Sequence, residues 1–129
     1  MHSNYFLFDT NIFIYYLNAE QHVEELFSKN FLTANNIFYS VLTEIELLSF
    51  PGLKESENRL IRELLEKFLP ISLTEEIKEK TIEIKKNFKI GIADAVIAAS
   101  AIVLNASLVT RDESDFNKIK ELTLINPFD

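Results

Sequence analysis

The sequence contains no cysteine and no tryptophan, and only two glycines and three prolines. Without cysteine there is no disulfide framework, no thiolate metal site and no thiol nucleophile. That absence suits a cytoplasmic protein. Two glycines cannot supply a Gly-x-Gly-x-x-Gly turn, which excludes the usual dinucleotide-binding fingerprint. A membrane-length apolar run is also missing. Tyr5 to Leu17 is broken by Asp9, Thr10 and Asn11, and Ala93 to Val109 by Asp94 and Asn105. Met1 to Asn4 lacks a basic run, so neither a signal peptide nor a membrane span is expected.

Positive charge is in short supply as well. Lys and Arg number 13 against 20 Asp and Glu, a net charge of -7, and the pI is near 4.9. This argues against broad nucleic-acid affinity, because binding a phosphate backbone needs Lys and Arg to replace counterions. It leaves open phosphate chemistry carried by a divalent ion, which inverts the local charge of a carboxylate cluster. What the chain does have is enough apolar material for a core: 47% hydrophobic residues, including 11 Phe and 4 Tyr, in 129 residues. That length fits one domain.

The apolar pattern alternates between short runs and longer periodic stretches. Tyr5–Phe8, Ile37–Tyr39, Ile71–Leu73, Ser107–Val109 and Leu122–Ile125 read as strands. Residues 10–18, 19–29, 41–50, 55–69 and 92–104 read as helices, with a further charged helix after Thr74. Leu60, Ile61, Leu64, Leu65 and Phe68 recur at helical spacing. Pro51-Gly52 and Pro70 act as breakers. Strands that are apolar on both faces and alternate with helices predict an α/β fold with a five-stranded parallel sheet covered on both sides. In such sheets chemistry sits beyond the carboxyl ends of the strands.

Acidic residues stand at those positions. Asp9 directly follows the first strand and Asp112 comes shortly after the fourth. Glu46 lies on the helix after the second, and Asp94 in the first turn of the buried helix before the fourth. Crowded carboxylates repel one another unless a cation neutralises them. An all-oxygen set suits Mg²⁺ or Mn²⁺, hard ions that keep several waters. Ordinary roles are open to the same residues. Asp9 and Asp112 are favoured helix caps, and an acid in a first helical turn is favoured by the dipole. Asp94, however, precedes a run with almost no polar partner, and a buried carboxylate needs one. Glu44 and Glu46 flank the same apolar stripe, and periodicity does not separate them.

Four stretches together resemble the PIN-domain family, and VapC-type toxins in particular. They are Phe-Leu-Phe-Asp-Thr-Asn-Ile-Phe-Ile from Phe6, Ser-Val-Leu-Thr-Glu-Ile-Glu-Leu-Leu from Ser40, Gly-Ile-Ala-Asp-Ala-Val-Ile-Ala-Ala-Ser-Ala from Gly91, and Leu-Val-Thr-Arg-Asp-Glu-Ser-Asp-Phe from Leu108. They occur in family order and span nearly the whole chain. The resemblance selects Glu46 over Glu44. It implies a PIN-like three-layer sandwich and a metal-dependent endoribonuclease with Asp9 and Asp94 as principal ligands. Glu46 and Asp112 would complete the site, with Asp115 the second choice to Asp112. It further implies Mg²⁺ or Mn²⁺, an RNA substrate, a homodimer and a cognate antitoxin protein. Thr10, Asn11 and Thr110 are expected to orient the carboxylates by hydrogen bonds. Arg111 is the candidate phosphate contact. Lys85, Lys86 and Lys89 form a local basic patch, ordinarily a solvated helix face. Phe13, Tyr15 and Tyr16 are expected to serve core and interface. His2 and His22 lie outside the motifs and read as surface residues.

Two other classes compete. A PIN-fold binding module with little activity would act through protein contacts. A carboxylate-based phosphotransfer domain also gathers acids at strand ends. Asp9-Thr-Asn, however, lacks the second aspartate of an Asp-x-Asp signature, and no lysine follows a late strand at the expected place.

Overall fold

The computed structural model describes residues 4–129. His2 lies outside the described residues. Five strands form one sheet: β1 (Tyr5–Phe8), β2 (Asn36–Ser40), β3 (Leu69–Ile71), β4 (Ser107–Val109) and β5 (Leu124–Ile125). Their order is β3-β2-β1-β4-β5 and every pairing is parallel. The chain therefore builds outward from β1 to β3, then crosses back to start the other half at β4. The reversal falls between β1 and β4, where Phe6 to Phe8 run beside Ser107 to Val109.

The central strands bury both faces. Leu7 and Leu108 point to one side, Phe8 and Val109 to the other, and all four are fully buried. The first pair packs on α6 (Glu75–Asn87) and α7 (Ile92–Leu104). The second packs on α1 (Thr10–Leu17), α4 (Val41–Leu48) and α5 (Glu55–Leu65). Its centre is a group of rings, Phe8, Phe13, Phe27 and Phe68, meeting at centroid distances of 5.2 to 5.8 Å. Tilted and edge-on contacts of this kind contribute about 0.5–1.5 kcal/mol each beyond burial. The result is a three-layer α/β sandwich, as the apolar pattern predicts.

Local chemistry sets the helix ends. Ser40 Oγ accepts from Leu42 N at the start of α4, and Thr74 Oγ1 accepts from Ile77 N at the start of α6. Both satisfy donors that a helix leaves unpaired. Residues Ala95 to Ala101 of α7 are all buried. The small side chains among them let the helix lie close to α6 and the sheet. Asn105, in the left-handed conformation at φ 57°, ends it.

Three expectations need correction, the simplest being the fifth strand, expected from Leu122, which begins at Leu124. The helix expected over 19–29 is three pieces: α2 (Gln21–Glu24), a 3-10 turn (Glu25–Phe27) and α3 (Lys29–Ala34). Ser28 interrupts it, because its Oγ accepts from Phe31 N and starts a new helix. The helix expected over 55–69 stops at Leu65, and the third strand begins at Leu69 instead of Ile71. Pro70 lies inside that strand, opposite Tyr39. Proline is tolerated there because β3 is an edge strand.

Candidate metal-binding cavity

The reversal between β1 and β4 positions the site. In open parallel sheets a crevice opens where strand order reverses. Asp9 follows β1 directly, and its backbone N donates to Val109 O of β4 at 3.0 Å. Its carboxylate is fixed at both oxygens. Thr10 N donates to Oδ1 at 2.8 Å, and Thr110 Oγ1 donates to Oδ2 at 2.9 Å. Asp9 thus caps α1 and faces the crevice at the same time. Only 6% of it is exposed. Burial pushes its pKa up from 3.8 to about 6, against the lowering effect of those two hydrogen bonds, and the charges of Asp94 and Asp112 add to the rise.

A cavity of about 610 Å³ opens over this point, and Asp9, Glu46, Asp94 and Asp112 all line it. Glu46 comes from α4, one turn after Thr43. Thr10 Oγ1 lies 2.7 Å from Glu46 Oε1 and 2.7 Å from Thr43 Oγ1. A hydroxyl has one proton, so Thr10 donates to Glu46 and accepts from Thr43. Asp94, in the first turn of α7, accepts no hydrogen bond among the described residues. Its pKa is raised, first by burial and then by the charges of Asp115, Asp112 and Glu46. Asp112 Oδ2 accepts from Asn11 Nδ2 at 3.3 Å. Its backbone N donates to Thr110 Oγ1 at 3.0 Å. Asp112 precedes α8 (Glu113–Phe116) but makes no side-chain cap to it.

The placement of each residue singled out in the sequence is therefore specific. Thr10, Asn11 and Thr110 each donate a side-chain hydrogen bond to a different acid: Glu46, Asp112 and Asp9. Glu46 faces the cavity, whereas Glu44 does not line it and its charge acts on Tyr39. Asp115 does not line the cavity either, yet its charge reaches Asp94. Arg111 lies outside the lining, its guanidinium carbon 4.0 Å from the centroid of the Phe128 ring. Lys85 is not a free patch member, since its Nζ donates to Ile90 O. Of the α1 aromatics, Phe13 is fully buried, Tyr16 stacks on Phe27 and Tyr15 packs on Phe128. His22 is exposed and hydrogen-bonded to Glu20. Thr43, which is fully buried, was not anticipated as part of the site. Its spacing of three residues from Glu46 on one helix was the available signal.

Among the described residues, no three acidic or histidine side chains stand together as a ready-made metal cage. The donor set nevertheless fits a hard divalent ion. It is all oxygen, one member lacks any hydrogen-bond donor, and burial and mutual repulsion raise the pKa of two. A cation relieves all of those costs at once.

The fold class is a parallel α/β sandwich with an acidic crevice at its strand-order reversal. The PIN domain family model matches residues 6–122. The chain belongs to the PIN domain family. It is similar to solved structures of toxin–antitoxin systems. One is a toxin-antitoxin complex from Klebsiella pneumoniae, at 26% identity and TM-score 0.79, covering 95% of this chain and 98% of that one. Another is VapBC2 from Rickettsia felis bound to a DNA fragment from its promoter, at 26% identity and TM-score 0.82, with the same coverages. A third is VapBC-1 from nontypeable Haemophilus influenzae, at 26% identity and TM-score 0.78, covering 97% of this chain and 99% of that one. These likenesses support the VapC-type resemblance drawn from the motifs. No curated protein sequence matches the chain. Among the described residues no helix is long and apolar enough to cross a membrane.

Proposed function

We propose that the protein is a divalent-metal-dependent endoribonuclease, the toxin of a toxin–antitoxin pair. The observation that carries this reading is the convergence of Asp9, Glu46, Asp94 and Asp112 on one cavity at the strand-order reversal. Asp9 and Asp94 would be the principal ligands of Mg²⁺ or Mn²⁺, and Glu46 and Asp112 would complete the site directly or through water. Asp115, outside the lining, would act on Asp94 through its charge. When bound, such an ion supplies an acidified water and charge stabilisation for phosphodiester hydrolysis.

The chain's own residues prepare that chemistry. Thr110 and the Thr10 N–H hold both Asp9 oxygens, fixing the carboxylate's direction. The Thr43–Thr10 pair holds Glu46, and Asn11 steadies Asp112. The apolar part of the cavity wall, with Leu17, Phe50 and Leu60 partly open to solvent, would take an apolar segment of the antitoxin and so close the acidic end to substrate. A homodimer acting in the cytoplasm is the assembly and setting expected for such a toxin.

Cleavage of a short RNA by the purified chain in Mn²⁺ tests the proposal, with EDTA and Asp94→Asn as controls. The proposal expects metal-dependent cutting that the variant loses. Equal cutting by wild type and variant would identify contamination. The acids are not drawn into a cage, which keeps a binding module without activity as the second reading. Antitoxin binding with no cleavage in any divalent metal would favour it.

A further inference from the structure

We propose that Phe128, supported by Tyr15, is a positioning residue that holds the Arg111 guanidinium beside the acidic cavity as an anchor for a substrate phosphate. The inference rests on the reading above, that RNA is cut at this cavity.

An RNA backbone approaching four carboxylates needs a cation of the protein's own, and no lysine or arginine lines the cavity. Several of the chain's other cations are committed elsewhere. Lys80 is paired with Glu121 and Glu83, Lys85 Nζ donates to Ile90 O, and Lys118 Nζ donates to Lys89 O. Arg111 differs in two respects. It sits between Thr110, which holds Asp9, and Asp112, which lines the cavity. None of its side-chain N–H donors has a hydrogen-bond or ion-pair partner among the described residues. Its guanidinium lies over two ring faces, with its central carbon 4.0 Å from the Phe128 centroid and 5.6 Å from that of Tyr15, and its charge reaches the Glu20 carboxylate without an ion pair.

Stacking uses the flat face of the guanidinium and leaves its edge of five donors free for bidentate phosphate recognition. The platform is itself fixed. Tyr15 packs edge-on against Phe128 at 5.1 Å, and His22 stacks on the same ring at 4.6 Å. Phe128 N donates to Asn126 Oδ1, and Asn126 Nδ2 donates to Glu113 Oε2 of α8. The segment after β5 thus ties α1, α2 and the Arg111 loop together, and its ring supplies the surface on which the arginine is ordered before substrate arrives.

Phe128→Ala, Phe128→Leu, Phe128→Tyr, Arg111→Ala and the Phe128→Ala/Arg111→Ala pair are compared on a short RNA oligonucleotide in saturating Mn²⁺. Phe128→Leu keeps bulk without a ring, so it reads the stacking even where the alanine variant folds poorly. KM is expected to rise about five- to tenfold in Phe128→Ala and Phe128→Leu with kcat nearly unchanged, the pattern of lost ground-state binding, and Phe128→Tyr should restore it. The double variant should be no worse than Arg111→Ala alone. Arg111→Ala should also reduce the salt dependence of RNA binding by about one counterion. By NMR, a ring-current shift of the Arg111 Nε–H should disappear in Phe128→Leu and survive in Phe128→Tyr. Multiplying effects of the two single changes overturn the inference, as does a fall in kcat alone or an unchanged KM once the Nε–H shift is gone. Wild-type protein that cuts RNA while the Phe128 variants behave like it defeats this inference only. Wild type that neither cuts nor binds RNA defeats the functional reading and this inference with it.

Discussion

Asp9 has two opposing roles, and their signs make it testable. An acid whose folded pKa is about 6 against an ordinary 3.8 holds its proton more tightly folded than unfolded. Its contribution is therefore fully favourable below about pH 4 and is lost as pH rises through about 6. At neutral pH the ionised, buried carboxylate costs on the order of 3 kcal/mol in the absence of a cation. Asp9→Asn should accordingly raise the melting temperature of metal-free protein at pH 7.5 by an amount worth roughly 1–3 kcal/mol, while abolishing both the Mn²⁺-induced rise and RNA cleavage. A lower melting temperature would show that its hydrogen bonds outweigh its charge. Wild-type Mn²⁺ affinity should also increase with pH through about 6, because ligands bind ionised. Thr43 makes a smaller statement. Thr43→Val removes the donor behind Thr10, and titration calorimetry should show Mn²⁺ affinity about tenfold weaker with a stability loss of about 1 kcal/mol. Unchanged affinity would leave Thr43 as a simple core residue.

Individual elements show how far the residues alone reveal the fold. Strands β1 and β4 and helix α7 are legible to the residue because each apolar run ends against a polar residue, Asp9, Thr110 and Asn105, and its interior is buried. Residues 19–29 are not, since Ser28 as a cap and Ala19 as a turn are local events that periodicity does not register. Ala19 adopts φ 61°, a left-handed conformation that costs an L-residue with a Cβ about 1–2 kcal/mol. Ala19→Gly should relieve that and, after the larger entropy loss of glycine, raise stability by about 0.5 kcal/mol in urea melts. A drop would mean that the methyl group packs usefully. The site was legible in part for the same reason. Asp9, Asp94 and Asp112 sit at strand ends and helix starts, where topology alone gathers them. Periodicity alone does not choose Glu46 over Glu44; the family motif does, and the hydroxyls of Thr10 and Thr43 hold the chosen residue at the cavity. Phe128 lies 17 positions beyond the arginine it touches, and no motif points to it.

At the scale of the whole molecule, the charge balance of -7 acts against the compact state and against RNA alike. A bound divalent ion offsets the repulsion where it is most concentrated. Mn²⁺ at about one hundred times its dissociation constant should stabilise the fold by about 2.7 kcal/mol. NaCl of equal ionic strength screens exposed charges but reaches buried ones poorly, so it should give much less in a thermal melt. Equal effects would place the relief at the surface instead of the cavity.

The order β3-β2-β1-β4-β5 has a consequence for synthesis. The floor of the cavity is a seam between a strand made first and one made almost last. A polypeptide still emerging from the ribosome, with residues beyond Leu104 unmade, has Asp9 but neither Thr110 to hold it nor Asp112 to face it. A fragment ending at Leu104 should neither bind Mn²⁺ nor cut RNA. On the proposed reading, a partly made copy stays without activity until β4 and the loop that follows it have been synthesised.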